Sequence, residues 1–151
     1  MNLQTIAIDK GNQIFHAKSW NSILSQEIIL ELILEAHKNI NNKARLCLHT
    51  SAAETMQVTY LAFVSPYEDR VHCHPNRPEV LIPILGIAEA RLFDDEGNLK
   101  SSQTMEGGSG FAISTQKGIW HSLKVLSSEF VMVEVGIGPF TGDSTKFFNF
   151  G

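Results

Sequence analysis

Two histidines and a glutamate lie close together in the segment His72-Cys73-His74-Pro75-Asn76-Arg77-Pro78-Glu79. Residues two apart in a β-strand point to the same face, so the side chains of His72 and His74 are expected to project together. Pro75 and Pro78 mark a tight connection. A four-residue hairpin loop over 75–78 would place Glu79 across from His74. Two imidazoles and a carboxylate at one point suit Fe, Ni, Mn, Cu or Zn, so the segment predicts a metal site.

A third histidine, His121, stands far downstream at the start of an apolar strand pattern. His121, Leu123 and Val125 share one face of that strand, and the latter two are apolar. A histidine at the rim of such a face is either a hydrogen-bonded core residue or a ligand. A His-x-His pair alone also fits two surface or hydrogen-bonded histidines. The metal prediction therefore rests on four side chains together: His72, His74, Glu79 and His121.

Four further residues are predicted to act on a substrate. Arg45 and His49 are the candidates for substrate contact around the metal, since arginine offers a planar fork for a carboxylate, a phosphate or a sugar diol. Arg77, between two prolines, is expected near the mouth of the site. His49 and Tyr60 are the candidate proton carriers. Simpler roles are also open for each: a surface ion pair for Arg45, a buried hydrogen-bonded histidine for His49, a solubilising loop residue for Arg77 and a core aromatic for Tyr60.

The chain after residue 43 is typical of an all-β protein. Short strands are predicted near 56–64, 80–85, 88–93, 111–114, 121–126 and 130–135, separated by turns such as Asp94-Asp95-Glu96-Gly97. Many short strands between Gly- and Asp-bearing turns predict a sandwich or barrel. We expect one structural domain, with an N-terminal arm and helix over 1–42 and the barrel over 43–151.

A helix is predicted from about Trp20 to Asn39, where apolar residues recur at helical spacing. Ser22 or Ser25 would cap its start, and the asparagine cluster at 39–42 would end it. The apolar stripe is wider than one face. The helix is therefore expected to be buried either on its own barrel or in a homodimer interface.

The composition is that of a folded globular protein, with 43% hydrophobic and 19% charged residues among 151. A formal charge of −4 without any Lys/Arg run argues against nucleic acid as the main partner. Cys47 and Cys73 are too few for a disulfide scaffold, and no signal sequence or membrane-spanning apolar segment is evident. We therefore expect reduced thiols, no membrane partner and a cytoplasmic location.

Together the motifs resemble those of the cupin superfamily. His72-x-His74, Glu79 and Gly86 match the first cupin motif, and Gly110, Gly118 and His121 match most of the second. Residues of about 45–148 resemble more narrowly the WbuC-type cupin metalloproteins. The matching stretches are Arg45-Leu46-Cys47-Leu48-His49, 72–79, Leu92-Phe93-Asp94-Asp95-Glu96-Gly97, Trp120-His121 and Glu134-Val135-Gly136-Ile137-Gly138-Pro139-Phe140. The departures from the cupin pattern are Pro66, Gln116 and Val125.

The resemblance implies a double-stranded β-helix, which is a jelly-roll-like barrel, holding one divalent transition-metal ion such as Fe, Zn, Ni or Mn. It also implies a bacterial homodimer connected with surface-polysaccharide (O-antigen) synthesis. Four protein ligands complete the shell of a structural zinc, whereas an ion that takes five or six ligands keeps a position for substrate. A metal-dependent isomerase, epimerase or lyase acting on a small polar metabolite is the leading hypothesis, ahead of a dioxygenase. The alternatives are a non-catalytic ligand-binding or sensory cupin and a structural metal site.

Overall fold

Two β-sheets face each other in the computed structural model, which describes residues 2–151. Strands are numbered along the chain. The larger sheet has the order β1 (Ala7–Asp9), β2 (Ile14–Ala17), β3 (Lys43–Cys47), β4 (Met56–Val64), β11 (Glu129–Ile137), β6 (Glu79–Leu85) and β9 (Ile113–Thr115). The smaller has the order β12 (Lys146–Phe147), β5 (His72–Cys73), β10 (Trp120–Val125), β7 (Ile87–Phe93) and β8 (Leu99–Glu106).

All named strand pairs are antiparallel except β2 with β3. Successive strands of the chain repeatedly pass from one sheet to the other, as β4, β5 and β6 do. The turn at 94–97 closes the β7–β8 hairpin as predicted, because Gly97 adopts a φ of 84° that other residues rarely take. The prediction of an all-β barrel with an N-terminal helix is confirmed.

Strand β4 shows how the two hydrophobic clusters divide. Leu61 and Phe63 point between the sheets and pack with Phe130 and Met132 of β11. Tyr60, Ala62 and Val64 alternate with them and point to the outer face. The inner face therefore lines the barrel interior, and the outer face supports the helix.

Helix α2 (Gln26–Lys38) covers that outer face, after a short first helix α1 (Leu3–Ile6). Ser25 is its N-cap and Asn39 its C-cap. It begins six residues later than predicted from Trp20, because the backbone is still extended at Ser25 (φ −109°, ψ 166°), and Ile23 before it is 71% exposed. Ile28, Leu32, Ile33 and Ala36 are buried on the protein's own sheet, whereas Leu30 and Leu34 are exposed. Within residues 2–151, no helix is long and apolar enough to cross a membrane.

The expected hairpin over 75–78 does not form. Strand β5 pairs with β10 and β12, whereas β6 pairs with β11 and β9 in the other sheet. The carbonyl of His74 accepts a hydrogen bond from the Gly118 amide at 2.8 Å instead of pairing with β6. Residues 74–78 thus cross from one sheet to the other.

Candidate metal centre

Three histidines converge between the sheets. His72 of β5 and His121 of β10 are direct partners in the antiparallel ladder, so their side chains project to the same face. His74 follows β5 on that face. One ring nitrogen from each of the three lies within 4.8 Å of the other two. Pairing of β5 with β10 thus explains how residues nearly fifty positions apart meet.

Glu79 reaches the same point from the opposite sheet, as the first residue of β6. Its Oε1 lies 3.0 Å from His121 Nε2, and its Oε2 lies 3.2 Å from His74 Nε2. The carboxylate is only 4% exposed. The structure therefore brings all four predicted ligands together, although through packing of two sheets rather than through a hairpin. Their role as metal ligands stays a prediction.

Backbone carbonyls fix the tautomer of all three rings. Each Nδ1 faces a carbonyl oxygen: that of Arg70 for His72 at 2.8 Å, of Ser144 for His74 at 2.9 Å and of Ile119 for His121 at 2.8 Å. Because a carbonyl can only accept, Nδ1 carries the hydrogen in the neutral ring and Nε2 keeps its lone pair. This is the arrangement that orients histidine ligands around metals.

The Nε2 atoms of His121 and His74 face a carboxylate, and this contact needs a proton or a metal ion between the two groups. Oε2 of Glu79 is fully buried and has no hydrogen bond within the described chain. Its 3.2 Å approach to His74 Nε2 is close without hydrogen-bond geometry. Two acceptors at this distance repel each other unless a proton or a metal ion lies between them. The four side chains therefore fit a divalent transition metal.

The pKa shifts have the same physical origin. Burial raises the pKa of Glu79, but His121 and His74 outweigh this and hold the pKa below its ordinary value. Burial lowers the pKa of His121, but Glu79 outweighs it and raises the pKa. For His72, burial and the neighbouring His121 both lower the pKa. The site thus favours a negative Glu79 that stabilises positive charge beside it.

A cavity of about 560 Å³ opens beside this centre and reaches the inner faces of β3 and β4. His72, His74 and Arg77 form part of one wall, and Arg45, Cys47 and His49 form part of the opposite wall. A second, smaller cavity of about 160 Å³ lies towards β7 and β8, and His72 borders both. The ligands thus border two cavities inside the barrel and do not staple a surface loop.

The opposite wall carries a second histidine cluster. Ligand atoms of His16, Cys47 and His49 lie within 4.8 Å of one another. His16 reaches this position because β2 pairs in parallel with β3, which sets His16 opposite Cys47. His16 is not among the site residues predicted from the sequence. Its position between the apolar Phe15 and Ala17, on the other face of a short strand, is a weak signal that only the long-range pairing makes informative.

The tautomer of His49 is the opposite of that in the metal centre. The Val58 amide donates to His49 Nδ1 at 3.1 Å. The Val58 carbonyl is also 3.2 Å from Nδ1, but it already accepts from the Leu48 amide at 2.8 Å. Since the amide can only donate and the carbonyl already has a donor, we assign Nδ1 as the acceptor, and the neutral ring then carries its hydrogen on Nε2. Burial and the nearby His16 lower the pKa of His49, which favours this neutral form.

Cys47 of this cluster is a buried, free thiol. Burial raises its pKa, although the Thr59 hydroxyl, 3.8 Å from the sulfur, acts in the opposite direction. Metals bind the thiolate rather than the thiol. Protonated Cys47 and the Nε2 hydrogen of His49 therefore make this cluster a poor metal site.

Arg77 is placed differently from the prediction. It is 6% exposed and lies inside the barrel rather than on a loop at its mouth, because residues 74–78 cross between the sheets. Its Nη2 donates to Glu134 Oε1 at 2.6 Å and lies 3.9 Å from Glu79 Oε2. Its guanidinium also stacks over Phe140 at 4.9 Å. Arg77 lines the cavity, but it holds the carboxylates of the site rather than standing free for a substrate.

Glu134 is also a site residue that was not predicted from the sequence. It alternates with Met132 on the inner face of β11 and borders both cavities. A single charged residue within the apolar run 130–135 was the available signal.

Arg45 and Tyr60 end on opposite faces of the larger sheet. Arg45 lines the cavity as predicted, and within residues 2–151 no carboxylate forms an ion pair with its guanidinium. Tyr60 packs with the cluster under helix α2. Its prediction as a proton carrier is therefore wrong, because strand alternation turns it away from the barrel interior while Thr59 and Leu61 face inward.

Comparison with known proteins supports the fold. A family model described as Domain of unknown function (DUF6016) matches residues 24–105, more than half of the chain. No curated protein matches the chain.

Three solved structures illustrate the likeness. The capsular polysaccharide assembling protein CapF from Staphylococcus aureus is 14% identical with a TM-score of 0.62, over 71% of this chain and 32% of that one. KdgF from Halomonas sp. is 15% identical with a TM-score of 0.53, over 68% and 83%. Recombinant oxalate oxidase in complex with glycolate is 15% identical with a TM-score of 0.57, over 72% and 56%. The chain spans about a third of the CapF structure it matches. These likenesses confirm the cupin fold.

Proposed function

The chain belongs to the family described as Domain of unknown function (DUF6016), and from that premise we propose that it is a metal-dependent enzyme acting on a small polar metabolite. One divalent transition-metal ion, Fe, Zn, Ni or Mn, is bound in the barrel by His72, His74, Glu79 and His121. The observation that carries this proposal is the contact of a buried carboxylate with the Nε2 atoms of His121 and His74 at 3.0 and 3.2 Å, in rings whose Nδ1 atoms face backbone carbonyls.

The surrounding residues supply what such a reaction needs. When bound, the ion acts as a Lewis acid towards an oxygen-bearing substrate. The cavity of about 560 Å³ admits a molecule of metabolite size. His49 donates a hydrogen bond from Nε2, and Glu134, whose side chain is 24% exposed, accepts a proton from the substrate. Arg77 holds the Glu134 carboxylate in place. Isomerase, epimerase or lyase chemistry needs this combination, whereas dioxygenase chemistry would require iron and O₂.

The substrate class that we favour is a sugar or sugar-nucleotide derivative. This rests on the sequence resemblance to WbuC-type cupins and on the fold shared with the capsular polysaccharide assembling protein CapF, and it is an argument by analogy. With it go a role in bacterial surface-polysaccharide synthesis and a cytoplasmic location. A homodimer is also proposed, because Leu30 and Leu34 leave apolar surface exposed on α2.

The second candidate is a non-catalytic, ligand-binding or sensory cupin. It is favoured by the engagement of both acidic groups at the centre, since Glu79 faces His74 and His121 and Glu134 is bound to Arg77 at 2.6 Å. In that case the ion would orient a metabolite that leaves unchanged.

Elemental analysis of protein purified without added metal tests the proposal. We expect one ion per chain in the wild type, much less in His121→Ala, and no change in His37→Ala, whose histidine is exposed on α2. Anaerobic turnover of sugar derivatives after reloading with Zn²⁺ would exclude dioxygenation. Equal metal content in all three proteins would contradict the proposal. Unfolding on chelation, without any turnover, would instead indicate a structural metal.

A further inference from the structure

The cavity beside the metal centre contains an unbalanced cation. Two of its basic residues have acidic partners: Lys43 with Asp69 at 3.9 Å and Arg77 with Glu134 at 2.6 Å. Arg45 lines the same cavity, and within the part of the chain described here its guanidinium makes no ion pair or hydrogen bond. A partly buried arginine without a counter-charge is costly unless a ligand supplies one.

Next to Arg45 the same wall presents a hydrogen-bond donor. His49 is 3% exposed and neutral, with its hydrogen on Nε2 because Nδ1 accepts from the Val58 amide. Arg45 and Cys47 alternate along β3 onto the cavity side, and His49 continues that alternation. A guanidinium and an imidazole N–H on one strand face bind an oxyanion, not a cation.

We propose that Arg45 and His49 form an oxyanion subsite, so that the substrate is an anion. Its carboxylate or phosphate group binds this wall, while a second oxygen reaches the metal centre across the cavity. Only the contact of the second oxygen with the metal rests on the proposed function. The Arg45–His49 wall would bind an anion even in protein without metal.

The alternative for this wall is a second metal bound by His16, Cys47 and His49, whose ligand atoms lie within 4.8 Å. Such a site would have to remove the Nε2 hydrogen of His49 and the proton of a buried thiol. Arg45 on the same strand would repel the ion. The subsite therefore fits an anion better than a cation.

Binding of inorganic phosphate, acetate and glycolate by calorimetry tests the subsite, first on metal-free protein. We expect phosphate or acetate to bind, and Arg45→Met to weaken the affinity by roughly tenfold or more, the usual loss for a charge-assisted hydrogen bond. His49→Gln should weaken it severalfold. Lys100→Met removes an exposed positive charge away from the cavity and should have no effect. Arg45→Lys keeps the charge without the planar fork, so an intermediate loss of anion affinity is expected. It provides the test if Arg45→Met fails to fold.

Metal-loaded protein separates this inference from the proposed function. Glycolate, which adds a hydroxyl to acetate, should bind more tightly than acetate only when metal is present, and His121→Ala should abolish that difference without weakening acetate. If the difference is missing but Arg45→Met still weakens acetate, the subsite holds and the metal contact fails. Equal anion affinity in the wild type and Arg45→Met would overturn the subsite. Metal binding at this wall would overturn the subsite as well, and it would appear as one equivalent of metal fewer in Cys47→Ser than in the wild type.

Discussion

Two histidine clusters face each other across one cavity, and they differ in what the backbone places against Nδ1. In the cluster of His72, His74 and His121 it is a carbonyl in every case. In the cluster with His16 and Cys47 it is the Val58 amide that meets His49. The first arrangement leaves lone pairs on Nε2, whereas the second leaves a hydrogen there.

Closeness of residues of the ligand type does not by itself define a metal site. Both clusters have ligand atoms within 4.8 Å. Only the first has a buried carboxylate, Glu79, with an oxygen that lacks any hydrogen bond in the described chain. We therefore propose that the backbone contacts suit one wall to a cation and the other to an anion.

The largest expected effect is on metal affinity. His121→Ala should weaken binding by more than the roughly 10- to 100-fold that loss of an outer-shell partner costs, because it removes a ligand itself. His49→Ala and Cys47→Ser should leave the affinity and the stoichiometry unchanged. Competition titration with a chromophoric chelator measures both. Equal losses of metal affinity from substitutions in the two clusters would show that they do not differ as metal sites.

A smaller effect is expected on stability when the ion pair between Arg77 and Glu134 is removed. Arg77→Met leaves the carboxylate of Glu134 without its partner and removes the guanidinium that lies 3.9 Å from Glu79, so the free energy of unfolding should fall by about 3 kcal/mol. Arg91→Met breaks pairs of the same 2.6 Å length, but Glu68 is 50% exposed there, so the loss should be at most about 1 kcal/mol. Urea denaturation of metal-free protein compares them. Similar losses would show that burial of Arg77 does not matter.

The reactivity of the Cys47 thiol distinguishes the two clusters in a further way. Since burial raises the pKa of Cys47, the thiol stays protonated through neutral pH. Its alkylation should accelerate only above about pH 8.5, the ordinary pKa of a cysteine thiol. Metal loading should not change this profile. Peptide mapping after iodoacetamide treatment at several pH values follows Cys47 separately from Cys73. Protection of Cys47 by metal would indicate that it is a ligand.

The smallest effect concerns Tyr60. Because it packs under α2 and not in the cavity, Tyr60→Phe should leave anion affinity unchanged and alter stability by no more than about 0.5 kcal/mol. His49→Gln, on the cavity side of the same sheet, is the matched comparison. A loss of anion affinity in Tyr60→Phe would place its hydroxyl in the site after all.

The fold and the four clustered residues could be predicted from local patterns. Turn residues, strand alternation and a serine cap at 22 or 25, of which the structure uses Ser25, are short-range signals, and the motif spacing identified the residues that meet. Apart from the late start of α2, the failures involve pairing over long distances. The β5 strand joins β10 and not β6, which makes 74–78 a crossing and buries Arg77. Parallel pairing of β2 with β3 brings in His16. The position of Tyr60 depends on which face α2 covers, and alternation alone does not give this.

Anomalous diffraction from crystals of cobalt-loaded protein tests most directly whether His72, His74, Glu79 and His121 hold one ion. We expect a single strong peak about 2.0–2.2 Å from Nε2 of His72, His74 and His121 and from a Glu79 oxygen, as for first-row ions with these ligands. A peak bound by His16, Cys47 and His49 instead, or no ordered ion between the sheets, would contradict the account.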